Sequence, residues 1–110
     1  MEISVQELKR VDLVTVAGRI DSSNASELDE ALKELLGKGR YNIVMDLAGV
    51  EYMSSAGLRT LVGTVRECKR RGGDLRLTTP SERVSEVLKL AGLDSVFKVY
   101  DDSTSAVGSF

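Results

Sequence analysis

The sequence predicts one α/β domain: a mainly parallel mixed β-sheet with an antiparallel first strand and three to four packed helices. Three observations predict it. Strand-like and amphipathic helical segments follow one another in the order ββαβαβαβ, the pattern of crossover units and a parallel sheet. The run Ile43-Val44-Met45 is continuously apolar, as a strand buried on both faces requires. Each helical segment stops on glycine, at Gly37 and Gly39, at Gly72-Gly73 and at Gly92. A chain of 110 residues has the usual size of a single domain, and the crossovers are expected to be right-handed.

The opening elements form a hairpin. Ile3 and Val5 alternate with polar neighbours, a polar turn follows near Lys9-Arg10-Val11-Asp12, and Leu13-Val14-Thr15-Val16-Ala17 makes the second strand, which Gly18 ends. From Asn24 to Leu36, the residues Ala25, Leu28, Ala31, Leu32, Leu35 and Leu36 recur at helical steps and make one apolar stripe. Asn24 with Glu27 has the spacing of a capping box. The central strand Ile43-Val44-Met45 leads through a loop to a second helix from about Ser55 to Arg71, with Leu58, Leu61, Val62 and Val65 turned inward. Leu75-Arg76-Leu77 is the next strand. Thr79-Pro80-Ser81-Glu82 then announces a third helix with a cap hydroxyl, a proline at the first position and a box glutamate. Val84, Val87, Leu88 and Ala91 form its inward stripe, and Val96-Phe97-Lys98-Val99 reads as a last short strand. Residues 1–100 are thus expected to form the domain, with 101–110 a polar, flexible tail.

Composition narrows the function. Fifteen basic against seventeen acidic residues give a net charge of −2, without the one-sign excess that binding a phosphate backbone needs. Direct nucleic-acid binding is not expected. Histidine is absent and cysteine occurs once, as Cys68, so the commonest proton shuttle is missing and a zinc site is not expected. No cofactor is implied. Met1-Glu2-Ile3-Ser4 lacks the layout of a signal peptide and no apolar run approaches the ~20 residues of a membrane span, so a cytoplasmic location without membrane insertion is expected.

In a parallel α/β sheet, the loops leaving the carboxyl ends of the strands gather on one edge, which ligands and partners favour. Three segments are expected there: Gly18-Arg19-Ile20-Asp21-Ser22-Ser23, Asp46 through Ser55, and Thr78-Thr79-Pro80-Ser81. The segment Met53-Ser54-Ser55-Ala56-Gly57-Leu58 sets a hydroxyl at a helix N-terminus, where free amides and the positive dipole end favour an anion. A hydrolytic role for Ser55 would need a base and an orienting group, and this segment is not the Gly-x-Ser-x-Gly elbow. An enzyme is not expected.

The stretch from Val44-Met45-Asp46-Leu47 through Glu51-Tyr52-Met53-Ser54-Ser55-Ala56-Gly57-Leu58 resembles the signature of bacterial anti-sigma factor antagonists, the STAS domain family. The opening hairpin, the Gly18-Arg19-Ile20-Asp21 turn, the glycine-ended basic helix and Leu90-Ala91-Gly92-Leu93-Asp94-Ser95-Val96-Phe97 are similar to the family as well. The resemblance implies partner switching. An anti-sigma factor that is also a serine kinase phosphorylates the antagonist, the unphosphorylated form captures the anti-sigma factor and frees sigma, and a PP2C-type phosphatase resets it. Aligned on Gly57-Leu58, the phosphoacceptor falls on Ser55, with Ser54 the second candidate because it stands where the family pattern carries aspartate. The resemblance places the partner surface on Asp21, Ser22, Ser23, Ser54, Ser55, Gly57 and Leu58, with Asp46 at its edge. Its alternative implication is a STAS module that is not phosphorylated and regulates a membrane transporter or a sensory complex.

Overall fold

The chain begins with β1 (Glu2–Glu7) and β2 (Asp12–Ile20), an antiparallel pair whose turn is closed by the Leu8 N–H donating to the Val11 carbonyl at 2.9 Å. The computed structural model describes residues 1–110. After the hairpin come α1 (Ala25–Gly37), β3 (Asn42–Met53), α2 (Ser55–Arg70), β4 (Asp74–Thr78), α3 (Glu82–Leu90), β5 (Val99–Tyr100) and α4 (Ser103–Gly108). The sheet order is β1-β2-β3-β4-β5, and every pairing after the first is parallel.

Strand order that follows chain order has a consequence. Successive right-handed crossovers stepping in one direction put α1, α2 and α3 on the same face of the sheet. The main core lies on that face: Leu28, Leu32 and Leu35 of α1, Leu58, Leu61 and Val65 of α2, and Val84 and Leu88 of α3 share one cluster with Val14, Val16, Ile43, Met45, Leu47, Leu75 and Leu77. Cys68 is fully buried in this cluster, and burial pushes its thiol up to about 12. On the reverse face, Val44 packs with Val11 and Ala106 under α4, flanked by Leu13, Tyr100, Val107 and Phe110. Beside the hairpin turn, Arg40 grips the fully buried Asp12 with two bonds of 2.8 Å and donates to the Leu8 carbonyl.

Several boundaries differ from the sequence reading. The central strand covers 12 residues instead of three, because its second half pairs with the end of β2, from Ala17 opposite Gly49 to Ile20 opposite Met53. Gly18 does not end β2. It holds φ +95 within a stretch where the register against β3 shifts, a conformation open to glycine at little cost, and the strand runs on to Ile20. Asn24 does not form the expected capping box; its side chain accepts from the Asp21 N–H and donates to the Arg19 carbonyl, each at 2.9 Å. Ser81 caps α3 by accepting from the Val84 N–H, and Thr79 takes φ +50 in the connection before it. The last strand lies later than expected, at Val99–Tyr100, and Phe97 is a core residue. Residues 103–108, read as part of a flexible tail, form α4, because Ala106 and Val107 supply an apolar side that covers Val44.

Candidate functional site

The ends of β2 and β3 lie side by side. Ile20 pairs with Met53, and the Ser54 N–H donates to the Ile20 carbonyl at 2.8 Å, so the loop that begins at Asp21 abuts the start of α2. Of the three segments expected on one edge, these two meet. The third does not, because β4 pairs with β3 only as far as Thr78 opposite Asp46, seven positions short of Met53 and roughly 20 Å back along the strand.

The two serines have different tasks. Ser54 is in extended conformation, and its hydroxyl accepts from the Gly57 N–H at 3.3 Å, which makes it the N-cap of α2. Ser55 is the first residue of the helix, exposed, and its hydroxyl makes no hydrogen bond within the chain. Its backbone position holds it where the free amides and dipole of α2 favour negative charge. Behind it, α2 lies close on the sheet, and Gly57 is the reason: a Cβ there would stand 2.8 Å from Ile20 Cγ2 and 3.0 Å from Met53 Cγ. Leu58 follows inward and keeps 8% exposure. Gly57 and Leu58, expected on the partner surface, are both buried; Gly57 packs against Ile20 and Met53, and Leu58 also borders a groove that Ser55 lines.

The facing loop is held by its own side chains. The Asp21 carboxylate accepts from the Ser23 N–H at 2.9 Å and from the Ser23 hydroxyl, and these bonds, the hydroxyl's foremost, hold its pKa below the ordinary carboxylate value. Asp21 thus presents a fixed anion next to the α2 start. Ser22 and Ser23 are exposed beside it. The Arg19 guanidinium lies 4.4 Å over the Tyr52 ring and adds positive charge at the adjoining strand ends. Asp46 belongs elsewhere. It accepts from the Ala48 N–H at 3.0 Å and from the Ser103 hydroxyl at 3.4 Å, on the side of the sheet covered by α4.

One residue absent from the sequence reading stands out. Arg59 borders a groove between α1 and α2 with Ala25, Ser26, Asp29, Ala56 and Thr60, and also a second groove of about 520 Å³ with Ser55, Leu58, Val62 and Leu93. The available signal was its position four residues after Ser55, which places both on one face of α2. No group of three or more Cys, Asp or Glu side chains is gathered in a geometry that would hold a metal ion. No helix is long and apolar enough to cross a membrane.

Fold and site together define a small α/β domain whose candidate groups lie on an open surface at a strand-to-helix junction. The chain belongs to the STAS domain family, whose model matches residues 2–106. It is 32% identical over 107 residues to the anti-sigma-B factor antagonist of Bacillus subtilis (strain 168), with 97% of each chain covered. It is 29% identical over 101 residues to the anti-sigma-B factor antagonist of Staphylococcus epidermidis, covering 90% of this chain and 94% of that one. Among solved structures, an anti-sigma factor antagonist from Mycobacterium paratuberculosis superposes with a TM-score of 0.88 at 26% identity, over 98% of this chain and 92% of that one.

Proposed function

We propose that this protein is an anti-sigma factor antagonist that works by partner switching, with Ser55 as the switch. In its unmodified form it binds an anti-sigma factor that is also a serine kinase and thereby releases sigma; phosphorylation of Ser55 abolishes that binding, and a PP2C-type phosphatase restores it. The observation that carries this reading is the division of labour between the serines: Ser54 is committed to capping α2, and Ser55 offers an uncommitted, exposed hydroxyl one residue further on. The relatives named above are antagonists of anti-sigma factors, which supports the choice of partner.

In the modification the Ser55 oxygen attacks the γ-phosphorus of a nucleoside triphosphate and loses its proton, an O–P bond forms, and the bond to the β-bridging oxygen breaks as the diphosphate leaves. The product gains about −1.5 to −2 of charge, which the α2 N-terminus absorbs without refolding the domain. Facing a single acidic group of the partner ~8 Å away, at an effective dielectric of ~20, the phosphate adds a penalty of about 4 kcal/mol, on the order of a thousandfold in affinity. The test is intact-mass measurement and peptide mapping of the protein isolated from its native host. An added phosphate on Ser55 is the expected result; stoichiometric phosphate on Ser54 with none on Ser55 would overturn the assignment.

A further inference from the structure

We infer that Arg59 receives the phosphate of Ser55, closing an ion pair along one face of α2 and withdrawing its guanidinium from the groove that it borders. This rests on the reading of Ser55 as the phosphoacceptor.

The spacing comes first. Residues four apart on a helix have Cβ atoms about 6 Å from each other, and a long helical side chain leans toward the helix N-terminus, so the Arg59 stem runs toward Ser55. Both residues are exposed, and both line the groove shared with Leu58, Val62 and Leu93. The guanidinium is also uncommitted. Several neighbouring cations are matched within the chain, Lys33 to Asp29 at 2.9 Å and Arg70 and Arg71 to Glu67 at 3.0 and 3.2 Å, whereas Arg66, two turns further along α2, is like Arg59 in making no ion pair. Arg59 has no carboxylate within ion-pair distance, although Asp29, paired with Lys33, borders the same α1/α2 groove.

A guanidinium offers a planar pair of donors that fits a phosphate in two-bond geometry. Phosphorylation therefore makes two changes to the surface at once. It adds an anion at Ser55, and it takes from an incoming acidic group the arginine that would have met it at the mouth of the groove.

The test is the second ionisation of the phosphate, followed by phosphorus NMR on protein carrying phosphoserine placed at position 55 during translation. The other charged groups around the site are Asp29 of the α1/α2 groove with Lys33 and Glu67 beyond it, Arg66 of the second groove, and Asp21 and Arg19 at the adjoining end of β2, and they are common to wild type and the Arg59 variants. The ordinary value is about 6, and in the wild type it is expected lower than in Arg59→Gln by about half a unit, with Arg59→Lys between the two. Arg66→Gln removes the same charge from further along the groove and is expected to leave the wild-type value in place. Equal values in wild type and Arg59→Gln, with circular dichroism showing both folded, would overturn the inference, as would an equal shift in Arg66→Gln. Because translation supplies the phosphoserine, this outcome is independent of whether a kinase modifies Ser55 in the host; a host protein without phosphate would sink the switch reading and leave the Arg59 result as it stands.

Discussion

The Ser54 N–H donates to the Ile20 carbonyl at 2.8 Å, and this one bond straps the first turn of α2 to the end of β2. It joins the two segments that make up the candidate surface. Asp21 follows Ile20, Ser55 follows Ser54, and Gly57 lets the helix lie close enough for the strap to form.

Gly57→Ala sets a methyl against Ile20 Cγ2 at 2.8 Å and Met53 Cγ at 3.0 Å, contacts that a shift of α2 or a repacking of those two side chains must relieve. Overpacking of this kind costs about 1–3 kcal/mol, offset by up to about 1 kcal/mol from alanine's helix propensity. Urea denaturation is expected to show a net loss of about 1–2 kcal/mol, with the amide resonances of Ser54 and Ser55 displaced. Wild-type stability and spectra would show that the close approach is not required.

The serines separate by stability. Ser54→Ala removes the α2 cap and is expected to cost about 1 kcal/mol. Ser55→Ala removes a hydroxyl that bonds nothing in the chain and is expected to stay within about 0.5 kcal/mol of the wild type. Paired thermal melts check both, and a larger loss from Ser55→Ala than from Ser54→Ala would reverse the roles assigned here.

Asp21 gives a pH signature. Its folded pKa lies below the ordinary 3.8, so the stability it contributes is present above that value and is lost as pH falls through the folded pKa. Carboxyl NMR titration is expected to place Asp21 below 3.8 in the wild type and to move it upward in Ser23→Ala, which removes the leading cause of the shift. An unchanged titration in Ser23→Ala would refute that cause.

The sequence was most legible where one physical signal sufficed. The apolar stripe of α1, the continuous run Ile43-Val44-Met45 and the glycine stop after α2 correspond to real elements, and ββαβαβαβ order led to the mainly parallel sheet observed. It was least legible where pairing overrides local pattern. Beyond Asp46, the alternation that marks a strand is broken by the Gly49 region and by register shifts, so the second half of β3 declares itself only against β2. Asp46 was consequently placed at the edge of the Ser55 surface, and the burial of Gly57 and Leu58 beneath that surface had no signal of its own. At the C-terminus, Ala106 and Val107 are too few to mark an amphipathic helix, and their value lies in the Val44 side of the sheet that they cover.

That last contact is measurable. Ending the chain after Asp101 uncovers Val44 and Val11 and removes the Phe110 ring that lies 4.0 Å under the Arg76 guanidinium. The truncated protein is expected to lose on the order of 2–3 kcal/mol in urea denaturation. An unchanged midpoint would return residues 102–110 to the status of a tail.

Phosphorylation of Ser55 is expected to turn binding off. The most direct test is calorimetric titration of the host's anti-sigma factor with three proteins: the unmodified chain, Ser55→Ala, and the chain carrying phosphoserine at position 55. Tight binding by the first two and a loss of at least a hundredfold in the third is the predicted result; equally tight binding by the phosphoserine protein would contradict the account.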